Sequence, residues 1–165
     1  MNEKVKIKQQ SKGYLFWKRF FDITLSSLAM IGFSPVFLTI FIMNRFGDNK
    51  GPLFYKQERI GWHGKPFKIY KFRSMIVNAD KILENDPEMY AKYVANNYKL
   101  EPEEDPRITR LGRWLRKTSI DEIPQFINIL RGDMSIIGPR PIVKKELEEY
   151  GDRVDKFLSV KPGAM

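Results

Sequence analysis

The feature that most constrains this chain is an apolar segment of 24 residues, from Phe20 to Met43, in which Asp22 is the one charged residue. A helix rises about 1.5 Å per residue, so this segment would extend about 36 Å, whereas the hydrocarbon core of a bilayer is about 30 Å thick. A soluble core helix of this length and composition is unusual. The segment is also too long for the apolar core of a signal peptide, and it therefore predicts a helix embedded in a membrane.

The dipeptide Ser34-Pro35 interrupts this segment, because proline removes a backbone hydrogen bond and clashes with the preceding helical turn. The break leaves arms of about 14 and 8 residues, or about 21 and 12 Å, and neither arm alone crosses a bilayer. Lysine and arginine flank both ends of the segment, so their distribution assigns no orientation to a spanning helix. Two interpretations therefore stay open: a re-entrant helix that returns to the face it entered, and a kinked transmembrane helix.

A second feature is the pair of adjacent carboxylates Asp121 and Glu122, which follows Arg116 by five residues. Apolar residues then recur at helical spacing and end at a glycine: Ile123, Phe126, Ile127, Leu130 and Gly132. This spacing places the acids at the start of an amphipathic helix, near its positive dipole end. Ser119 and Glu122 fit a capping box, which would make the glutamate structural. The alternative is a site in which one acid is a nucleophile and the other a metal ligand or proton carrier.

Two further stretches combine positive charge with aromatic residues. Residues 51–55 and 66–73 read as short strands joined by a glycine-bounded turn, which predicts a β-hairpin. Four basic residues are interleaved with aromatic residues along its second half: Lys65, Lys68, Lys71 and Arg73. They form either a phosphate-binding ribbon or a solvated strand face.

Residues 107–117 predict a basic amphipathic helix. Its apolar face is Ile108, Leu111, Trp114 and Leu115, and arginines surround that face. Such a helix lies either at a membrane interface or on the protein core with its arginines in water.

The net charge of +9 over 165 residues favours a polyanionic partner, such as nucleic acid, an anionic membrane or a phosphorylated substrate. The chain contains no cysteine, which excludes disulfide bonds and a thiolate site. Nucleic-acid binding is not expected, because the aromatic residues concentrate in the membrane-like segment and not on a base-stacking surface.

Several long motifs, taken together and in this order, resemble the bacterial sugar transferase family of monotopic polyprenyl-phosphate phosphoglycosyl transferases. They are Lys18-Arg-Phe-Phe-Asp22, Ser34-Pro35, residues 67–75, residues 105–112, residues 116–122 and residues 132–141. The resemblance implies an α+β, mainly helical fold with a re-entrant membrane helix broken at Ser34-Pro35, a short β-hairpin and interfacial amphipathic helices. It divides the chain into a flexible basic tail (1–13), the re-entrant helix (14–46) and a catalytic domain (47–165). That domain would lie on the cytoplasmic face of the bacterial inner membrane, among anionic lipids.

The resemblance also implies a reaction. Sugar-1-phosphate would pass from a UDP-hexose, galactose or glucose, to undecaprenyl phosphate with release of UMP, as the first step of exopolysaccharide, capsule or O-antigen (lipopolysaccharide) synthesis. Asp121 would be the nucleophile that forms a covalent phospho-sugar intermediate, and Glu122 would hold Mg²⁺. Arg116 and Arg140 would contact substrate phosphates, and we expect Lys71 and Arg73 to assist them.

The chain ends at Met165, where the family usually continues past the Lys-Pro-Gly element. The resemblance therefore implies that the C-terminal part of the family domain is missing. A catalytically inactive membrane-docking module is the alternative that follows from this expectation.

Overall fold

The computed structural model describes residues 10–96 and 100–165. This part of the chain is mainly helical with one short two-stranded antiparallel sheet, as predicted. The first strand, predicted over 51–55, lies at Phe54–Ile60. The elements are α1 (Lys12–Gly32), α2 (Ser34–Met43), β1 (Phe54–Ile60), β2 (Pro66–Phe72), α3 (Ala79–Glu84), α4 (Pro87–Ala95), α5 (Arg110–Lys117), α6 (Gln125–Arg131), α7 (Lys144–Leu147) and α8 (Val154–Leu158). Residues 1–9 of the predicted basic tail lie outside the described residues. Helix α1 already begins at Lys12, where the Ser11 side chain accepts a hydrogen bond from the backbone N–H of Tyr14.

The described chain forms two compact units. The first combines the described part of Met1–Ser34 with Lys56–Lys71 and Pro124–Met165, and the second combines Pro35–Tyr55 with the described part of Phe72–Ile123.

In the first unit, polar residues of α1 attach this helix to α6 and to the chain that follows α6. The buried carboxylate of Asp22 accepts hydrogen bonds from the Ser135 hydroxyl at 2.9 Å and from the Ile136 backbone N–H at 3.0 Å. Arg19 donates to the carbonyls of Ile129 and Leu130 at 2.5 and 2.7 Å. A cation is favourable there, because the last carbonyls of a helix carry its negative dipole end. The polar face of α1 is therefore directed at protein.

The remaining surface of α1 is apolar and exposed. Its exposed large side chains include Phe16, Trp17, Phe20, Phe21, Leu25, Leu28 and Ile31. An amphipathic helix in a water-soluble domain buries its apolar face and exposes its polar face, so α1 has the inverse arrangement. A contiguous apolar surface of this kind marks a place of contact with protein or membrane.

The apolar segment breaks where Ser34-Pro35 predicts a break. Helix α1 ends at Gly32, α2 begins at Ser34, and the two helices are bent by 52°. The Ser34 hydroxyl donates to the carbonyl of Ile31 at 2.7 Å, which satisfies a group released by the break. Within residues 10–96 and 100–165, no single helix is long and apolar enough to cross a membrane, and only this bent pair meets the length and composition requirement jointly.

The core of the second unit decides how α5 uses its apolar face. Leu111 and Leu115 are buried in one cluster with Ile40 and Phe72, and the ring centroid of Phe37 lies 4.8 Å from that of Phe72. These leucines therefore pack on the protein core, as in the interpretation that leaves the arginines of this helix in water. Trp114 stays exposed on the same helix.

Arg107 was expected to surround the apolar face of this helix, and that prediction is wrong. Its side chain is buried and forms a two-point ion pair with buried Asp105, with both N–O distances at 2.8 Å. The backbone N–H of Arg107 donates to the same carboxylate at 3.0 Å. This pair closes the loop that leads into α5.

Candidate active site

Asp121 and Glu122 lie in a short 3-10 turn, Ile120–Glu122, that precedes α6. The prediction that they begin the amphipathic helix itself is therefore wrong by one turn, because Pro124 stands at the N-cap position of α6. The capping-box interpretation is also wrong. Ser119 has a left-handed backbone (φ 57°) and its side chain makes no capping hydrogen bond. The predicted end of the helix at Gly132 is confirmed, with φ at 90°.

The two adjacent acids differ in burial. Asp121 is 8 % exposed, whereas Glu122 is exposed. Ile120 and Ile123, on either side, pack against the apolar core of the second unit, and this anchors the acidic turn. A buried carboxylate keeps a fixed position, and an exposed one beside it is accessible to solvent ions. This contrast fits different roles for the two acids.

Arg116 is in the last turn of α5, a short distance before the acidic turn and in the same compact unit. Its Nε–H donates to the Ser74 hydroxyl at 2.8 Å. Within residues 10–96 and 100–165, neither Nη group of Arg116 has a hydrogen-bond acceptor. The distal edge of the guanidinium can therefore donate two hydrogen bonds to the oxygens of one phosphate.

Arg73 has different partners from those predicted. Its buried guanidinium donates to the backbone carbonyls of Pro52 at 2.8 Å, Met75 at 3.2 Å and Asn49. Burial lowers the pKa of Arg73. These contacts hold the loop that precedes β1, so they do not support the prediction that Arg73 binds substrate phosphate. Lys71 lies half-buried on β2, in the first unit.

Arg140 is exposed on the loop Gly138-Pro-Arg-Pro141 of the first unit. The end of the chain holds this loop in place. The Gly163 N–H donates to the Pro139 carbonyl at 2.9 Å, and the Gly138 N–H donates to the Met165 carbonyl at 3.2 Å. An added Cβ on Gly163 would lie 2.1 Å from the nitrogen of Gly138, so the two glycines are in direct backbone contact.

The predicted site residues thus divide between the units. Arg116, Asp121, Glu122 and Arg73 belong to the second unit, and Lys71 and Arg140 belong to the first. Sequence reasoning missed the contact between Ser74 and Arg116. The one available signal was Gly112 inside a helical pattern, because such a glycine often marks a close backbone approach.

The oxygen donors at this site are suited to Mg²⁺. Among the described residues, no group of three or more His, Cys, Asp or Glu side chains could hold a metal ion. Mg²⁺ is usually held by one or two carboxylates and completes its shell with substrate phosphates and water. The exposed carboxylate of Glu122 therefore fits this ion in the presence of a phosphorylated substrate.

This chain belongs to the bacterial sugar transferase family, whose sequence profile matches residues 13–165. It is 48% identical, over 152 residues, to the undecaprenyl-phosphate galactose phosphotransferase of Salmonella typhimurium, and the match covers 90% of this chain and 31% of that protein. It is 41% identical, over 149 residues, to the UDP-glucose:undecaprenyl-phosphate glucose-1-phosphate transferase of Escherichia coli, with 88% of this chain and 29% of that protein covered.

The exopolysaccharide production protein ExoY of Rhizobium meliloti is 44% identical over 150 residues, with 88% of this chain and 65% of that protein covered. The chain therefore spans about a third of the length of the first two relatives and about two thirds of ExoY.

Proposed function

We propose that this protein transfers sugar-1-phosphate from a UDP-hexose, such as UDP-galactose or UDP-glucose, to undecaprenyl phosphate and releases UMP. This reaction would initiate the synthesis of exopolysaccharide, capsule or O-antigen. The observation that carries the proposal is the acidic turn, where buried Asp121 and exposed Glu122 follow an arginine whose distal edge has no acceptor in the part of the chain that the structure describes. Family membership and the names of the relatives support the same class of reaction.

In the proposed first step, a carboxylate oxygen of Asp121 attacks the β-phosphorus of the UDP-sugar. A new P–O bond forms to Asp121, the P–O bond to UMP breaks, and UMP leaves with the electron pair. The product is a covalent aspartyl phospho-sugar. A carboxylate is ionised at neutral pH, so this step requires no general base.

In the proposed second step, a phosphate oxygen of undecaprenyl phosphate attacks the same phosphorus. The P–O bond to Asp121 breaks, which restores the carboxylate and leaves the sugar on a lipid-linked diphosphate. Both steps bring anions together, so positive charge must neutralise the repulsion. Arg116 and Arg140 would contact the phosphates, and Lys71 would assist them.

Glu122 would hold Mg²⁺, which when bound supplies charge neutralisation at the phosphoryl oxygens. The exposure of Glu122 and the oxygen-only donor set support this assignment.

We place the protein on the cytoplasmic face of the bacterial inner membrane, with α1 and α2 as a monotopic, re-entrant helix pair. The exposed apolar surface of α1, the 52° bend at Phe33 and the net charge of +9 support contact with anionic lipid. A membrane position would also bring the enzyme close to its proposed long isoprenoid acceptor. The relatives' names favour this transferase over an inactive docking module.

The test is release of UMP from UDP-galactose and UDP-glucose by the purified chain with undecaprenyl phosphate and Mg²⁺. We expect release by the parent, and Asp121→Asn should abolish it together with the mass increase from a covalent phospho-hexose. Asp133→Asn removes an acid in the first unit and serves as the matched control, with activity close to the parent. UMP release by Asp121→Asn at the parental rate would exclude Asp121 as the nucleophile. No release by the folded parent would favour the docking module.

A further inference from the structure

Ser74 is buried, and its side chain contacts Arg116, which is proposed to bind the substrate. The residue follows β2, is 8 % exposed, and its hydroxyl accepts the 2.8 Å hydrogen bond from Nε of Arg116. A hydroxyl on a fixed backbone can orient a guanidinium, whereas one on a mobile loop cannot. The question is therefore how firmly the backbone at residue 74 is held.

The backbone of Ser74 is fixed against the start of α5. Its carbonyl accepts a hydrogen bond from the N–H of Thr109 at 3.1 Å. Thr109 is the N-cap of α5, and its hydroxyl accepts from the N–H of Gly112 at 2.9 Å. An antiparallel bridge between Met75 and Ile108 holds the adjacent residues together.

Gly112 lets α5 approach Ser74 closely. A Cβ added at Gly112 would lie 1.9 Å from the Ser74 carbonyl oxygen, so no other residue fits there without displacing the helix. Gly112 and Arg116 are four residues apart on α5 and therefore share one face. Ser74 thus contacts α5 at two points: its carbonyl lies against Gly112, and its hydroxyl accepts a hydrogen bond from Arg116.

These contacts constrain the direction of the guanidinium. The group is planar, and its donors have a fixed geometry. When Nε–H is bound to a fixed oxygen, rotation about the outer side-chain torsions is limited, and the edge formed by the two Nη groups points away from Ser74. That edge is the one suited to a phosphate.

We infer that Ser74 is a positioning residue, which holds the guanidinium of Arg116 so that its Nη edge faces a substrate phosphate. The inference rests on the proposed function, in which Arg116 contacts the diphosphate of the UDP-sugar. Ser74 itself touches no substrate, and its effect passes entirely through Arg116.

The test is a double-mutant cycle with Ser74→Ala and Arg116→Lys in the full chain. Lysine keeps the charge of Arg116 but has no Nε–H to bind Ser74. Two quantities are measured for each protein: kcat/KM for UMP release, and the affinity for UDP, which needs no turnover. Ser159→Ala removes a hydroxyl that donates to the carbonyl of Lys156 and is the control for loss of a hydroxyl.

We expect Ser74→Ala to lower kcat/KM and UDP affinity by about tenfold, the scale of one hydrogen bond to a charged group. In the Arg116→Lys background the same change should cause no further loss. Equal losses in both backgrounds would show a general structural role and overturn the inference, as would parental values for Ser74→Ala.

Ser74→Cys keeps the size of the residue and offers only a weak acceptor, so it replaces Ser74→Ala in the cycle if the alanine variant unfolds. Absence of both UMP release and UDP binding in the folded parent would reject the proposed function, independently of Ser74.

Discussion

At the scale of single residues, burial together with protein partners separates two arginines that hold the fold from Glu122 and Arg140, which are proposed for chemistry. Arg73 and Arg107 are buried. The guanidinium of Arg73 donates to backbone carbonyls, and that of Arg107 donates to Asp105. Glu122 and Arg140 are exposed. In the sequence these residues all belong to similar charged motifs, and only the surroundings that each one folds into distinguish their roles.

The ion pair between Asp105 and Arg107 predicts a specific response to acid. Burial alone would raise the pKa of Asp105, but hydrogen bonds and positive charge from Arg107 outweigh it and hold this pKa below the ordinary value of 3.8. The folded protein therefore binds fewer protons here than the unfolded chain. The pair's contribution is complete above pH 3.8 and is lost as pH falls through the folded-state pKa.

Asp105→Asn should lower the free energy of unfolding at neutral pH by about 3 kcal/mol, because it leaves a buried guanidinium without its counter-charge. The substitution should also weaken the dependence of the unfolding free energy on pH in the acidic range. Urea unfolding between pH 3 and 7 measures both effects. Asp133→Asn is the control, because its pair with Arg131 is partly exposed, with side chains 59% and 28% accessible, and should contribute less. An unchanged dependence on acidic pH in Asp105→Asn would contradict this assignment.

At the scale of elements, local signals were predictable and tertiary ones were not. The break at Ser34-Pro35 and the stop at Gly132 follow from backbone chemistry that proline and glycine impose wherever they occur. The hairpin follows from two short runs of aromatic and β-branched residues around a glycine-bounded turn.

The orientation of α5 and the 3-10 turn of the acids depend on contacts distant in sequence. Leu115 packs near Ile40, and Arg116 binds Ser74, 42 residues away. A helical pattern defines an apolar face but not the surface that covers it. The family resemblance therefore supplied the residues of the proposed site, whereas the burial of Asp121 and the backbone partners of Arg73 required the structure.

The end of the chain acts as an element that supports the Arg140 loop, and this predicts an effect of Gly163→Ala. An added Cβ would lie 2.1 Å from the Gly138 nitrogen and 2.6 Å from its Cα, which are backbone atoms that cannot move independently. We expect overpacking to cost about 1–3 kcal/mol of stability and to lower activity through displacement of the loop. Thermal unfolding and UMP release measure the two effects.

Gly13→Ala is the matched control, because nothing lies within 4 Å of its added Cβ and alanine is the better helix former at that position. Its stability should equal or exceed that of the parent. A Gly163→Ala protein as stable and active as Gly13→Ala would show that the contact between the two glycines is not needed.

At the scale of the whole molecule, two attractions to the proposed membrane surface would act together. The net charge of +9 attracts anionic lipid over a range set by the ionic strength. The exposed apolar surface of α1 adds a contribution that salt does not screen. Because salt weakens only the first, the two contributions can be separated by experiment.

We expect the protein to bind phosphatidylglycerol vesicles more tightly than phosphatidylcholine vesicles, with the difference shrinking as NaCl rises. Binding that persists at high salt should depend on α1. Trp17→Glu should therefore reduce the fraction of protein that co-sediments with vesicles of either lipid at every salt concentration. Trp114→Glu is the comparison, because α5 keeps Leu111 and Leu115 in the core and exposes that tryptophan largely by itself. It should reduce binding less than Trp17→Glu does. If both substitutions reduce vesicle binding equally, α5 is a second membrane contact. If Trp17→Glu binds vesicles as the parent does, α1 does not contact the membrane.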